Sequence, residues 1–139
     1  IAKQYSPKGR VIGLDISPSM IKSAQGQYIE LENLSFIQGD IRSFQLEEPV
    51  DIIVSFSALH WIDNQPEILK NIERNLKPGG RAILSLSAKP WPMSPSVDDI
   101  MKMPTWSPYF NGYQNTWFEY SVADYTEFVK QTKLKISST

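Results

Sequence analysis

Apolar positions along this chain follow two rhythms, and the switch between them marks its elements. Arg10 to Asp15 holds a β-branched run, Val11-Ile12-Gly13-Leu14, apolar on both faces of a pleat, as a strand covered by helices on both sides should be. Ile21, Ala24 and Tyr28 then recur at helical spacing, with Ser17 read as N-cap and Pro18 as first helical residue. Leu34 to Gln38, closed by Gly39-Asp40, and Val50 to Phe56, with Asp51 near its start, read as two more short strands. Ile68, Leu69, Ile72 and Leu76 mark a second helix, which Asn64 and Glu67 open at capping-box spacing and Lys77-Pro78-Gly79-Gly80 stops. Arg81 to Ser87 resumes as a strand. The order β-α-β-β-α-β predicts an α/β fold, a Rossmann-like and mostly parallel sheet with helices on both faces, although the link from Ser43 to Val50 is too short to show a helix of its own.

Lys89 to Tyr120 breaks both rhythms. It carries five of the ten prolines together with Trp91, Trp106, Tyr109, Phe110, Tyr113, Trp117, Phe118 and Tyr120. A long connection in a compact domain is usually a functional lid or disordered, and this aromatic density argues against disorder. Regular pattern returns with Ser121 as N-cap, Asp124 at the third helical position and Tyr125, Phe128, Val129 and Thr132 on one face; Leu134 to Ser137 reads as a last strand. The expected organisation is one domain over 1–139: a core sheet in 1–88, a lid or substrate insertion in 89–120, and a final helix and strand in 121–139.

Composition narrows the chemistry. Fourteen basic and fifteen acidic side chains give a formal charge of -1, so no field is available to hold nucleic acid or an anionic membrane. No apolar run approaches the roughly 18 residues of a membrane span, and the first residues, Ile1-Ala2-Lys3-Gln4, carry no secretory pattern. A cytoplasmic protein is expected. With no cysteine and a single histidine, disulfides, thiolate zinc sites and a cysteine nucleophile are excluded, and no metal site is expected.

In an open parallel sheet, ligands bind outside the carboxyl ends of the strands. Two such ends carry carboxylates. Asp15 suits both hydroxyls of a ribose, as an acidic residue does in dinucleotide folds; it equally suits a turn or a helix entry. Asp40 suits the exocyclic amine of adenine, with the Ile41 backbone N–H on a ring nitrogen; Gly39-Asp40 equally suits a type I turn. A dinucleotide-binding dehydrogenase shares the acidic strand end, but the chain has no glycine fingerprint for it, and that reading explains neither Gly39-Asp40 nor the insertion.

The order Asp15, Gly39-Asp40, the Asp51-led strand and Lys77-Pro78-Gly79-Gly80 resembles the motif order of class I methyltransferases dependent on S-adenosylmethionine (SAM), from about Arg10 to Ser137. The resemblance implies SAM as cofactor. It sets Asp15 on the ribose, with Ile16 and Met20 packing around the nucleoside, and Gly39, Asp40 and Ile41 at the adenine. It also sets Ser55, Phe56 and Leu59, within Ser55 to Leu59, beside the methionine part. The family's first strand, with its Gly-x-Gly loop, does not occur before Arg10, and residues 1–9 resemble the tail of the helix that follows that loop. The seventh strand is also absent. The implied fold is thus truncated at its N-terminus.

Ser57-Ala58-Leu59-His60-Trp61-Ile62 and the aromatic insertion further resemble enzymes acting on small or isoprenoid carboxylic acids, notably the juvenile hormone acid and trans-aconitate methyltransferase groups. That resemblance implies a small-molecule acceptor methylated on oxygen. His60 and Trp61 are the candidate acceptor-orienting residues, and Trp106, Tyr109, Tyr113 and Trp117 the candidate substrate-binding ones. Plainer readings stand beside these: His60 as a half-buried histidine bonded to a carbonyl, Trp61 as core, the insertion as a packed subdomain, and Met93, Met101 and Met103 as fillers. A methyltransferase-like binding module without catalysis is the alternative function. Oligomeric state is open.

Overall fold

A computed structural model of the chain describes residues 2–88, 94–113 and 116–137; Trp91 and Met93 lie outside these. The chain divides into two compact units, Ile1–Glu48 and Pro49–Thr139.

The first unit is one parallel strand pair with its connecting helix. β1 (Val11–Asp15) leads into α1 (Pro18–Gln27), and β2 (Leu34–Gln38) returns beside β1 in a register running from Val11 opposite Leu34 to Asp15 opposite Gln38. Ser17 caps α1 as expected, its hydroxyl accepting from the Met20 N–H at 3.4 Å, and Pro18 sits where a missing N–H does no harm. Ile21 is the residue of α1 that becomes buried. Ahead of β1 the chain is gathered by one side chain: Asn33 Nδ2 donates to the carbonyls of Ala2, Ser6 and Gly9 at 3.4, 2.8 and 3.1 Å.

The second unit holds β3 (Val50–Phe56), a short 3-10 turn at Leu59–Trp61, α2 (Gln65–Asn75) and β4 (Leu76–Ser85). It continues with α3 (Ser94–Lys102), a second 3-10 turn at Ser107–Phe110 and α4 (Val122–Lys130). β3 and β4 are parallel, and α2 between them makes the crossover. The core gathers where α2 meets the turn: Leu59, Ile68, Leu69 and Ile72 are each 1% exposed or less. Each such side chain contributes roughly 1.5–3 kcal/mol by leaving water. Ile68, Leu69 and Ile72 of the stripe read from the sequence lie on this face, while Leu76 has already passed into β4. Along the strands, alternate positions Ile52, Val54, Phe56 and Ile83 stay exposed.

Several expectations are corrected. The parallel pairing itself stands as expected: β1 pairs with β2 in the first unit and β3 with β4 in the second. A doubly wound order 3-2-1-4-5-6 contains 3-2 and 4-5 as neighbours, which are the pairings found when Val11–Asp15 is counted as its second strand. β4 begins at Leu76, before Arg81. Val50 pairs with Leu76 and Ile52 already with Arg81, so Lys77-Pro78-Gly79-Gly80 loops out of the ladder, with Gly79 at φ +80 supplying the left-handed turn. Asn64 stands at the entry of α2, but at φ +52 its side chain caps nothing; Glu67 pairs instead with Lys70 and Arg74. The capping box forms at the other site, between Ser121 and Asp124. Leu134–Ser137 is not a strand. Within the insertion α3 and a 3-10 turn appear, and an isolated parallel bridge joins Ala88 to Tyr120 at its two ends.

Candidate functional site

In the first unit the carboxyl ends of β1 and β2 meet, with the Gly39 N–H donating to the Asp15 carbonyl at 3.0 Å. This contact joins the two segments that carry the candidate carboxylates. Asp15 is exposed, and its Oδ1 accepts from the Ser17 N–H at 2.8 Å. The turn role and an exposed carboxylate therefore coexist, because one oxygen satisfies the helix entry while Oδ2 takes no hydrogen bond among the described residues. Ile16 and Met20, 62% and 59% exposed, lie to either side in sequence. Two large apolar side chains left in water beside a carboxylate suit a nucleoside, which brings an apolar ring face and a pair of hydroxyls.

A cavity of about 160 Å³ opens here, lined by Gly13, Leu14, Asp15, Met20, Ile21, Ala24 and Phe36. The wall is kept small where β1 runs beside β2: a Cβ on Gly13 would stand 2.5 Å from the Phe36 ring. Asp40 lies outside that lining.

Asp40 is held in a way the sequence reading missed. Its carbonyl accepts from the Ser43 and Phe44 N–H groups at 3.0 and 2.8 Å, so the turn reading is correct for the backbone. Its carboxylate is gripped by Arg42: the backbone N–H reaches Oδ1 at 2.9 Å, Nε reaches Oδ1 and Oδ2 at 3.1 and 3.0 Å, and Nη2 reaches Oδ2 at 2.7 Å. These hydrogen bonds, first from the Arg42 side chain and then from its backbone, hold the Asp40 carboxyl below the usual carboxylate range. The Asp-x-Arg spacing was the available signal, since an aspartate often bonds the backbone two residues on.

The second unit holds the other candidates. His60 is 3% exposed, not half-buried, and its Nδ1 has no hydrogen-bond partner among the described residues, so the carbonyl-bonded reading finds no support there. Its ring stacks on Trp117 with centroids 4.1 Å apart at 18°, and Trp61 meets both rings, at 5.4 Å from His60 and 4.8 Å from Trp117. Burial pushes the imidazole down from its ordinary value and keeps it neutral. Trp61 is 54% exposed and is no core residue. The segment is clamped from below: Gln65, fully buried, donates Nε2 to the Leu59 and Ile62 carbonyls, each at 2.7 Å, and the His60 carbonyl accepts from the Phe118 N–H at 2.8 Å. Ser57 and Asn64, non-glycine residues at φ +53 and +52, stand on either side of it. Asparagine visits this region readily, so Ser57 is the less usual of the two.

Trp117 thus joins His60 and Trp61. Trp106 and Tyr109 pair with each other at 6.3 Å, and Tyr113 meets Phe110 at 5.9 Å, all three half or more exposed. Ser55 and Phe56 end β3, Phe56 with its ring 58% exposed; Leu59 is core, so only its backbone is left to face a ligand, and its carbonyl is already taken. Among the described residues no cluster of His, Asp and Glu is arranged to hold a metal, and no helix is long and apolar enough to cross a membrane.

A family model described as a methyltransferase domain matches residues 1–127. The chain belongs to this methyltransferase family. The malonyl-[acyl-carrier protein] O-methyltransferase 2 of Ilyobacter polytropus is 35% identical over 83 residues, covering 60% of this chain and 32% of the relative. The trans-aconitate 2-methyltransferase of Deinococcus radiodurans is 39% identical over 77 residues, covering 55% of this chain and 28% of the relative. This methyltransferase-family chain therefore spans about a third of the length of these curated relatives. Among solved structures, the YcgJ protein of Bacillus subtilis is similar with a TM-score of 0.65 at 24% identity, covering 93% of this chain and 54% of that one. A methyltransferase solved with the Haloferax volcanii Trm112 activator gives 0.68 at 24% identity, covering 93% and 52%. At these identities the structures establish the Rossmann-like methyltransferase fold.

Proposed function

We propose that the chain carries the adenosine-binding and acceptor-facing parts of a SAM-dependent methyltransferase acting on the carboxylate oxygen of a small or isoprenoid-like acid. The observation that carries the cofactor half is the exposed Asp15 carboxylate at a parallel strand end, flanked by exposed Ile16 and Met20, with Asp40 following the neighbouring strand. Asp15 accepts from the ribose hydroxyls, Asp40 from the adenine amine, and the apolar pair covers the ring. A structure of an N-methyltransferase, NodS from Bradyrhizobium japonicum, holds S-adenosyl-L-homocysteine, and this chain matches it over 54% of its length with a TM-score of 0.50. When bound, SAM supplies a methyl group on a sulfonium.

The acid acceptor is supported by the names of the relatives, a malonyl-[acyl-carrier protein] O-methyltransferase and a trans-aconitate 2-methyltransferase. A carboxylate of pKa near ~4 is already ionised at neutral pH, so no general base is needed and the protein's task is alignment. His60 suits that task. Burial keeps it neutral, Trp117 stacks on its ring, and Nδ1 has no partner among the described residues, so the imidazole has a hydrogen-bonding group left to orient an acceptor oxygen. Trp61 offers an exposed indole beside it.

The test combines labelled SAM with a panel of mono- and dicarboxylic acids. Asp15→Ala and Asp40→Ala are expected to weaken SAM binding with little change in the unfolding midpoint. Trp106→Ala and Tyr113→Ala are expected to act on the acceptor alone. Equal loss of both ligands in every variant would contradict the assignment.

A further inference from the structure

We propose that Arg42 is a latch on the adenine-reading carboxylate: its guanidinium occupies the acceptor positions of Asp40 and swings away when an exocyclic amine takes them. This rests on the adenosine reading of Asp15 and Asp40 above. A carboxylate offers about four lone-pair positions. Oδ1 already receives the Arg42 backbone N–H and Nε, at 2.9 and 3.1 Å, and Oδ2 receives Nε and Nη2, at 3.0 and 2.7 Å. The one Nε hydrogen is shared between the two oxygens, so three donor hydrogens take most of these positions and an incoming amine must compete with the guanidinium for the outer edge of the carboxylate. The backbone bond belongs to the turn after β2 and can remain when a ligand binds. The side-chain bonds are the ones that must break.

The geometry also says the latch opens readily. The two side chains are 42% and 25% exposed, so water and salt reach the pair, and exposed ion pairs of this kind are weak. The same bonds that block the site keep the carboxyl ionised and its plane fixed, so an opened latch presents an acceptor and not a neutral acid. A neutral nucleoside is the informative probe. It carries no charge of its own, so a salt dependence present in the chain and absent in Arg42→Met reports the Arg42–Asp40 pair.

The experiment measures adenosine binding by equilibrium dialysis for the chain and for Arg42→Met, which keeps an apolar stem at this exposed position, with inosine as control. Arg42→Met is expected to bind adenosine about two- to five-fold more tightly at low salt, the range set by an exposed ion pair. Wild-type affinity is expected to rise from about 50 to about 500 mM salt as screening loosens the pair, while the variant stays flat. Unchanged or weaker binding by the variant, or wild-type affinity that falls with salt, overturns the latch, and a persisting preference for adenosine over inosine then leaves the adenosine site standing. Failure of both proteins to bind adenosine overturns the latch and the site together.

Discussion

Tyr125, on α4, donates its hydroxyl to Gln65 Oε1 at 2.9 Å, and Gln65 in turn donates to the Leu59 and Ile62 carbonyls. One buried side chain therefore couples a helix distant in sequence to the turn that carries His60. Since Gln65 is fully buried, removing its partner leaves an oxygen without water or protein. Tyr125→Phe should lower stability by about 1–3 kcal/mol, read as a shift of the urea midpoint at constant slope.

The same phenol gives an alkaline signature. Burial, helped by Tyr120, pushes Tyr125 up to about 12 from an ordinary value near 10. The folded state then holds its proton where the unfolded state has lost it, so this contribution is complete below about pH 10 and is lost as pH rises towards 12. Unfolding followed across that range should show a loss of stability that is smaller in Tyr125→Phe. Equal slopes in the two proteins would place the loss elsewhere.

His60 acts at the other end of the scale. Its value is pushed down by burial, so the folded state resists protonation and the unfolded state accepts it. Its contribution is complete above the ordinary imidazole value near ~6.5 and is lost as pH falls below that. His60→Phe keeps a ring against Trp117 and removes the unpartnered Nδ1. It is expected to fold, to flatten the acid limb of stability, and to weaken acceptor turnover while leaving adenosine affinity unchanged.

At Gly13 the expectation is steric. A side-chain carbon there meets the Phe36 ring at 2.5 Å, so Gly13→Ala should destabilise the first unit by about 1–3 kcal/mol. Phe36→Leu in the same chain should recover part of that loss, because the crowded ring is gone. Simple addition of the two single losses would remove the overlap as the cause.

The helix entries make a matched pair. Ser121→Ala removes a capping box in which both Ser121 and Asp124 take part, and should cost about 1 kcal/mol. Asn64→Gly removes a side chain that caps nothing at φ +52, and should be neutral or favourable. A lowered thermal midpoint for Ser121→Ala beside an unchanged or raised one for Asn64→Gly would confirm the contrast.

How much of this was legible in the sequence depended on whether the signal was local. β1, β2 and β3, the Ser17 and Ser121 caps and the α2 stripe follow from adjacent residues, and they stand where the pattern put them. What failed needed partners. Asn64 and Glu67 have capping-box spacing, but the turn ahead of α2 drives Asn64 into the left-handed region, and Glu67 is drawn to Lys70 and Arg74. Leu134–Ser137 has strand composition but no neighbouring strand among the described residues to complete a ladder. His60 looked like a helix-entry histidine because nothing in its own neighbourhood announces Trp117. Arg42 was overlooked for another reason: two residues from a carboxylate, it reads as a solvated charge until its bonds are drawn.

The central claim is that Asp15 reads a ribose, and discrimination between adenosine and 2′-deoxyadenosine measures it most directly. By calorimetry the wild-type chain should prefer adenosine by about tenfold or more, the scale of a hydrogen bond to a charged group, and Asp15→Asn should lose most of that preference while unfolding at nearly the same midpoint. Equal affinity of the wild-type chain for the two nucleosides would contradict it.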